Sequence, residues 1–207
     1  MTDEEMQDYF PAVYPKMFSG KYGGIAVGKG WFGILTQLCQ AIQSHVDWRA
    51  TQYKQAINYN KMAHAGQSGN AELFADLCAV EYGDNGFDAE YVKNRLAEIL
   101  NDPLRVIPEE CEQVEVKQLK EKFGSLRFYY TGGDDYISGL VSMAESMTDI
   151  TCEECGAPGT QGGTGWVSTL CETHRAERDA ADGKCKADWE AQEAARTKII
   201  KAEGHEE

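Results

Sequence analysis

No apolar run in these 207 residues approaches the roughly 20 that a membrane span needs. The first ten residues, MTDEEMQDYF, lack the basic start and apolar stretch of a secretory leader. A soluble, cytoplasmic protein is therefore expected. Internal repeats and low-complexity segments are absent. So is a regular, even set of cysteines: the seven present are unevenly spaced. Cys39 and Cys78 fall in helix-like patterns, Cys111 precedes a strand-like run, and Cys185 lies in a charged helix. Free thiols plus one metal site are expected, not a disulfide framework.

Basic residues are scarce as well. Twenty Lys and Arg stand against 34 Asp and Glu, giving a net charge of −14. The deficit is uneven: residues 11–70 hold six bases and one acid, so they carry +5 and the remainder carries −19. Such a chain repels nucleic acid over most of its surface and tolerates it only near the N-terminal third. The acid can attract a basic surface on a partner, or it can serve solubility alone.

Against these absences, hydrophobic residues make up 42 %, a globular composition. The expected fold is α+β: a helical N-terminal part, a β-hairpin packed on a helix, a zinc ribbon and a C-terminal helix. Residues 1–30 read as irregular, because Pro11 and Pro15 interrupt any helix and glycines crowd Gly20–Gly30. An α+β core follows over 31–148, with a helical insertion at about 49–110. From Trp31 to Trp48, Phe32, Leu35, Leu38, Cys39, Ile42 and Val46 recur at helical steps. The pattern weakens through Tyr53, Ile57 and Met62 and breaks at Gly66–Gly69. A second helix is expected from Asn70 to Tyr82, with Leu73, Leu77 and Val80 on its apolar side. A turn at Gly83–Gly86 leads to a third, from about Asp88 to Asn101, with Tyr91, Leu96, Ile99 and Leu100 apolar. The period then becomes two. Val114 and Val116, then Leu126, Phe128 and Tyr130, alternate with polar residues around a loop at Glu121–Gly124, which predicts a hairpin. Asp134 or Asp135 can cap the next helix, whose apolar face is Ile137, Leu140, Val141, Ala144 and Met147.

The strongest motif lies in residues 149–175. Cys152 and Cys155 form one C-x-x-C pair; Cys171 and His174 form a C-x-x-H pair after fifteen intervening residues. Two such pairs supply the four tetrahedral ligands of zinc. Gly156–Gly159 provides a tight turn, Gly162, Gly163 and Gly165 a second reversal, and Trp166–Leu170 a returning strand. All four positions are filled by protein, which points to a structural ion. Cys185 in place of His174 is an alternative fourth ligand. The segment 176–207 reads as a charged helix.

Several weaker signals accompany it. Gly23 through Gly30 approaches a phosphate-binding loop, but Gly30 stands where a magnesium-binding hydroxyl belongs, and no buried strand precedes it. Nucleotide hydrolysis is not expected; anion binding by Gly28, Lys29 and the following helix start remains a candidate. Asp134 and Asp135 are either a carboxylate pair or helix caps. His45 and His64 have no partner motif, and His205 is near-terminal. Lys120, Lys122, Arg127 and Tyr129 mark a basic, aromatic hairpin, which can stack on single strands or merely face solvent.

The run Val116–Tyr130 with its KEKFG-SLRFY core, Gly132–Tyr136, Cys152–Gly156, Leu170–His174 and the start Gly28–Phe32 together resemble small proteins encoded by tailed bacteriophages and prophages. The likeness covers about 31–48 and 112–175. It implies phage origin, action in a bacterial cytoplasm and zinc binding, and it brings no catalytic residue. The resulting expectation is a non-enzymatic acidic zinc protein that binds and inhibits or redirects a host bacterial protein, for instance a defence nuclease blocked by DNA-like acidity. The alternative is a nucleic-acid or nucleotide binder using the 11–70 region, the hairpin and the zinc ribbon.

Overall fold

A computed structural model of the chain describes residues 2–82, 89–163 and 166–203. The expected turn at Gly83–Gly86, Gly165 and His205 lie outside the described residues. The architecture is α+β, as the sequence predicts.

The first segment departs from the sequence reading. Residues Asp3–Val13 form α1, with Pro11 inside it. A capping box starts this helix: Glu5 N donates to Thr2 Oγ1 and Thr2 N to Glu5 Oε2. Pro11 falls in the last turn, where it removes a single backbone bond. Met6 and Phe10, four residues apart, are fully buried. Their burial, about 1.5–3 kcal/mol each, offsets the roughly 3 kcal/mol of an interior proline. The glycine-rich stretch likewise contains a short strand, β1 (Ile25–Ala26).

After a 3₁₀ turn at Lys29–Trp31, α2 runs unbroken from Phe32 to Gln67. Its first half buries Leu35, Leu38, Cys39, Ile42 and Val46, the expected stripe. Its second half bears the insertion. There α3 (Ala71–Tyr82) and α4 (Ala89–Asn101) pack on α2 around a separate small core of Tyr59, Met62, Ala63, Phe74, Cys78 and Ile99. The buried face of α3 is thus Phe74–Cys78. Leu73 and Val80, expected inside, are exposed, because α2 meets the helix one residue further round. Tyr91 and Leu100 of α4 are exposed too; Ile99 is buried and Leu96 packs against the cluster.

The chain returns through β2 (Glu115–Lys122) and β3 (Ser125–Thr131), joined at Phe123 and Gly124. Both turn residues have positive φ, 57° and 75°, which matches the twist of a two-residue hairpin. β2 is the central strand, antiparallel to β3 and parallel to β1. A register shift between Val116 and Gln118 lets both Val116 and Leu119 point inward. Side chains cover both outer edges. Gln7 of α1 exchanges two hydrogen bonds with the backbone of Ile25. On the far side, Leu126 N donates to Thr148 Oγ1 and Phe128 N to Glu145 Oε1. Those acceptors belong to α5 (Asp135–Thr148), capped by Asp134, whose Oδ1 accepts from Ile137 N at 3.2 Å. Ile137, Val141 and Ala144 of α5 are buried as expected, whereas Met147 is 44 % exposed. The last elements are a two-stranded ribbon, β4 (Thr160–Gly162) with β5 (Ser168–Leu170), and α6 (Glu172–Glu203).

Candidate metal centre

The two pairs converge as their spacing predicts. Cys152 and Cys155 flank the turn that follows α5, Cys171 follows β5, and His174 sits in the first turn of α6. Their ligand atoms all lie within 4.8 Å of one another. Cys152 Sγ is 3.4 Å and Cys171 Sγ 3.2 Å from His174 Nδ1; the Sγ atoms of Cys155 and Cys171 are 3.9 Å apart. A tetrahedral thiolate–imidazole site has edges of about 3.8 Å (S···S) and about 3.6 Å (S···N). The donors therefore already stand at the corners of a metal-sized tetrahedron. Cys185 is exposed, about three turns further along α6, and is not a member of the cluster.

The electrostatics prepare the same event. Burial raises the Cys152 thiol, but backbone N–H groups of Cys171, Glu154 and Cys155 and the His174 ring outweigh it and bring it down to about 6. The thiols of Cys152 and Cys171 hold His174 above the ordinary imidazole value. On the far side of that ring, Glu177 Oε2 lies 4.0 Å from Nε2, in the place of an outer carboxylate that orients a ligating histidine.

The turn that begins at Cys152 closes just after Cys155 and needs glycine at Gly156, where φ is +77° and the N–H returns to Cys152 O. Three anchors then fix the module to the core. Gly30 N donates to Glu153 O at 2.8 Å and Trp31 Nε1 to Thr151 O at 2.8 Å. Thr169 Oγ1 donates to Gly124 O at 2.6 Å, tying β5 to the hairpin tip. Arg175 donates to the carbonyls of Thr160, Gly162 and Ser168, and Arg178 to Ser168 Oγ. Trp31, Thr169 and the two arginines escape sequence reading, because no spacing rule links them to the cysteines.

These contacts redefine Gly28 and Gly30, and Lys29 between them is exposed. A Cβ on Gly28 would overlap Glu153 O, and one on Gly30 would overlap Cys152 O and approach Gly156 N and Cys155 N to 2.6 and 2.7 Å. The glycines are where they are so that two backbones can touch. The N–H groups of Gly30, Trp31 and Phe32 are given to Glu153, Gly28 and Lys29, not held for a phosphate. The hollow beside Gly28 is lined by Glu121, Glu153 and Glu154, which repel an anion. Glu153 is buried with one oxygen unpartnered and Arg178 3.8 Å from the other. Burial, then Glu121, raises its carboxyl to about 7.

The hairpin cations are brought together but engaged. Lys120 pairs with Arg127 in register, on positions alternating with buried Leu119 and Phe128. Lys120 Nζ lies 5.1 Å from the Tyr129 ring and Lys122 Nζ 5.3 Å from Phe123. Arg127 lines a groove that also holds Glu145 and Asp149. His45, which had no partner in the sequence, contacts Asp134 at 2.8 Å. Asp135 lies within the first turn of α5. Among the described residues no helix is long and apolar enough to cross a membrane.

No protein-family profile, no curated protein and no solved structure matches the chain.

Proposed function

We propose that the protein is a zinc-stapled interaction protein that binds a host bacterial protein and inhibits or redirects it. Three thiolates and one imidazole form a donor set suited to zinc. They leave no position for substrate, so the ion serves as a staple. The observation that carries the interaction reading is an apolar cleft of about 370 Å³ between α2 and α5, lined by Ile34, Leu38, Leu140, Met143 and Met147 among others. Met143 is 59 % and Met147 44 % exposed, on a chain of net charge −14. An open apolar surface within an acidic, soluble composition is the usual form of a protein-docking site. Flexible methionines suit such contacts. The phage-like segments at 31–48 and 112–175 include both walls of this cleft.

The test is affinity capture from bacterial lysate with wild type and with Met143→Glu/Met147→Glu as baits. The reading expects one host protein retained by wild type and lost by the variant, at an unchanged melting temperature. Tight binding of DNA or RNA with a steep salt dependence, and no retained protein, would instead favour the nucleic-acid alternative. The grouping of Lys120, Lys122, Arg127 and Tyr129 on one hairpin keeps that alternative concrete.

A further inference from the structure

A second group of ligand-type side chains lies at the opposite end of α5. His45 comes from the middle of α2, Cys111 from the segment leading into β2, and Asp134 from the N-cap of α5. Their ligand atoms all fall within 4.8 Å of one another. We propose that His45, Cys111 and Asp134 form a second metal site, which takes a divalent ion of borderline softness such as zinc through three protein ligands and leaves the fourth position open.

Four features argue for it. First, the donor set is one imidazole, one thiol and one carboxylate, and a metal-bound thiol is ionised, so two negative ligands balance a divalent charge. Second, the carboxylate divides its work. Asp134 Oδ1 accepts from Ile137 N at 3.2 Å and caps α5, while Oδ2 points at His45 Nε2, 2.8 Å away. The helix thus orients the ligand as an outer contact should. An ion would widen that pair to about 3.3 Å, the N···O edge of a tetrahedral site. Third, the ring is held in place: His45 stacks on Tyr136 with centroids 4.4 Å apart and planes at 29°. Fourth, the site is graded in depth. Cys111 is 5 % exposed, the His45 side chain 14 % and the Asp134 side chain 32 %. Solvent or a small donor reaches the carboxylate side, where the fourth ligand belongs. Arg49, one turn along α2, acts electrostatically on Cys111, yet its Nη2 is given to Glu109 O at 2.7 Å. A closed four-ligand site is structural; a three-ligand site with an open corner exchanges ligands.

The experiment is equilibrium dialysis of the full-length protein against Zn²⁺ and against Co²⁺, with bound metal counted by elemental analysis. Wild type should hold two equivalents. Cys111→Ser and His45→Gln should each hold one, with melting curves that show a folded protein, and Cys152→Ser should also hold one. Wild type saturating at one equivalent, lost in Cys152→Ser and kept in Cys111→Ser, would overturn the proposal while leaving the Cys152 centre intact. The reverse pattern, one equivalent lost in Cys111→Ser, would uphold it and discard the other centre. His45→Gln keeping two equivalents would remove histidine from the set and overturn the site as assigned.

Discussion

The indole Nε1 of Trp31 donates to the carbonyl of Thr151 at 2.8 Å, joining two residues 120 positions apart. Trp31 is fully buried, and the Thr151 carbonyl belongs to the residue just before the first cysteine of the metal cluster. The hydrophobic core and the metal-site knuckle at Cys152–Gly156 are thereby one structure. Trp31→Phe keeps most of the apolar volume but orphans the carbonyl, a loss of about 1–3 kcal/mol. Chemical denaturation should show that loss, together with weaker retention of zinc during dialysis. A variant as stable as wild type would mean that the bond contributes nothing.

Gly30→Ala tests the close approach beside it. The three atoms nearest the new Cβ would all be backbone: Cys152 O, Gly156 N and Cys155 N. Backbone cannot rotate aside as a side chain can, so a cost of about 2–3 kcal/mol is expected. Gly33→Ala, one turn later with nothing within 4 Å of the added carbon, should instead stabilise by roughly 0.5–1 kcal/mol. Paired thermal melts decide it, and equal shifts for the two variants would refute the contact argument.

Removing the metal should act locally. The ribbon β4–β5 carries little apolar core of its own, and buried Leu170 is its main hydrophobic contribution. Chelation should therefore expose the amides of residues 150–175 to hydrogen exchange, while the amides of α2, β2 and β3 stay protected. Uniform loss of protection across the chain would show that the ion supports the whole fold.

The insertion should come apart separately. Phe74 is fully buried in the small cluster that α3 and α4 make with the end of α2. Phe74→Ala should cost about 3–5 kcal/mol and open that subregion first. Exchange in α3 and α4 should accelerate while zinc stoichiometry is unchanged. Loss of zinc in this variant would mean that the two cores are coupled.

Which features are legible in the sequence depends on the range of the interaction that creates them. The stripe of α2 from Leu35 to Val46, the hairpin, the Asp134 cap and the Cys152–His174 ligand set were all legible. Each rests on neighbours within a few residues or on a spacing rule. The α1 helix was hidden by Pro11, because the burial of Met6 and Phe10 that offsets the proline depends on α2 and the sheet. The face of α3 was misplaced by one position, since Leu73 and Phe74 are equally apolar and only the path of α2 decides which turns inward.

The meaning of Gly28 and Gly30 and the meeting of His45 with Asp134 were out of reach for the same reason. The sequence by itself determined a Cys₃His set that can hold a metal ion, an α+β order of elements and a strongly acidic balance, because these follow from local spacing and composition. Tertiary structure alone decided that a glycine-rich loop is a seat for the knuckle, and that a histidine, a cysteine and an aspartate far apart in the chain share one corner. Such contacts are chosen by packing of whole elements, whose geometry is fixed only when α2, α5 and the sheet close on one another.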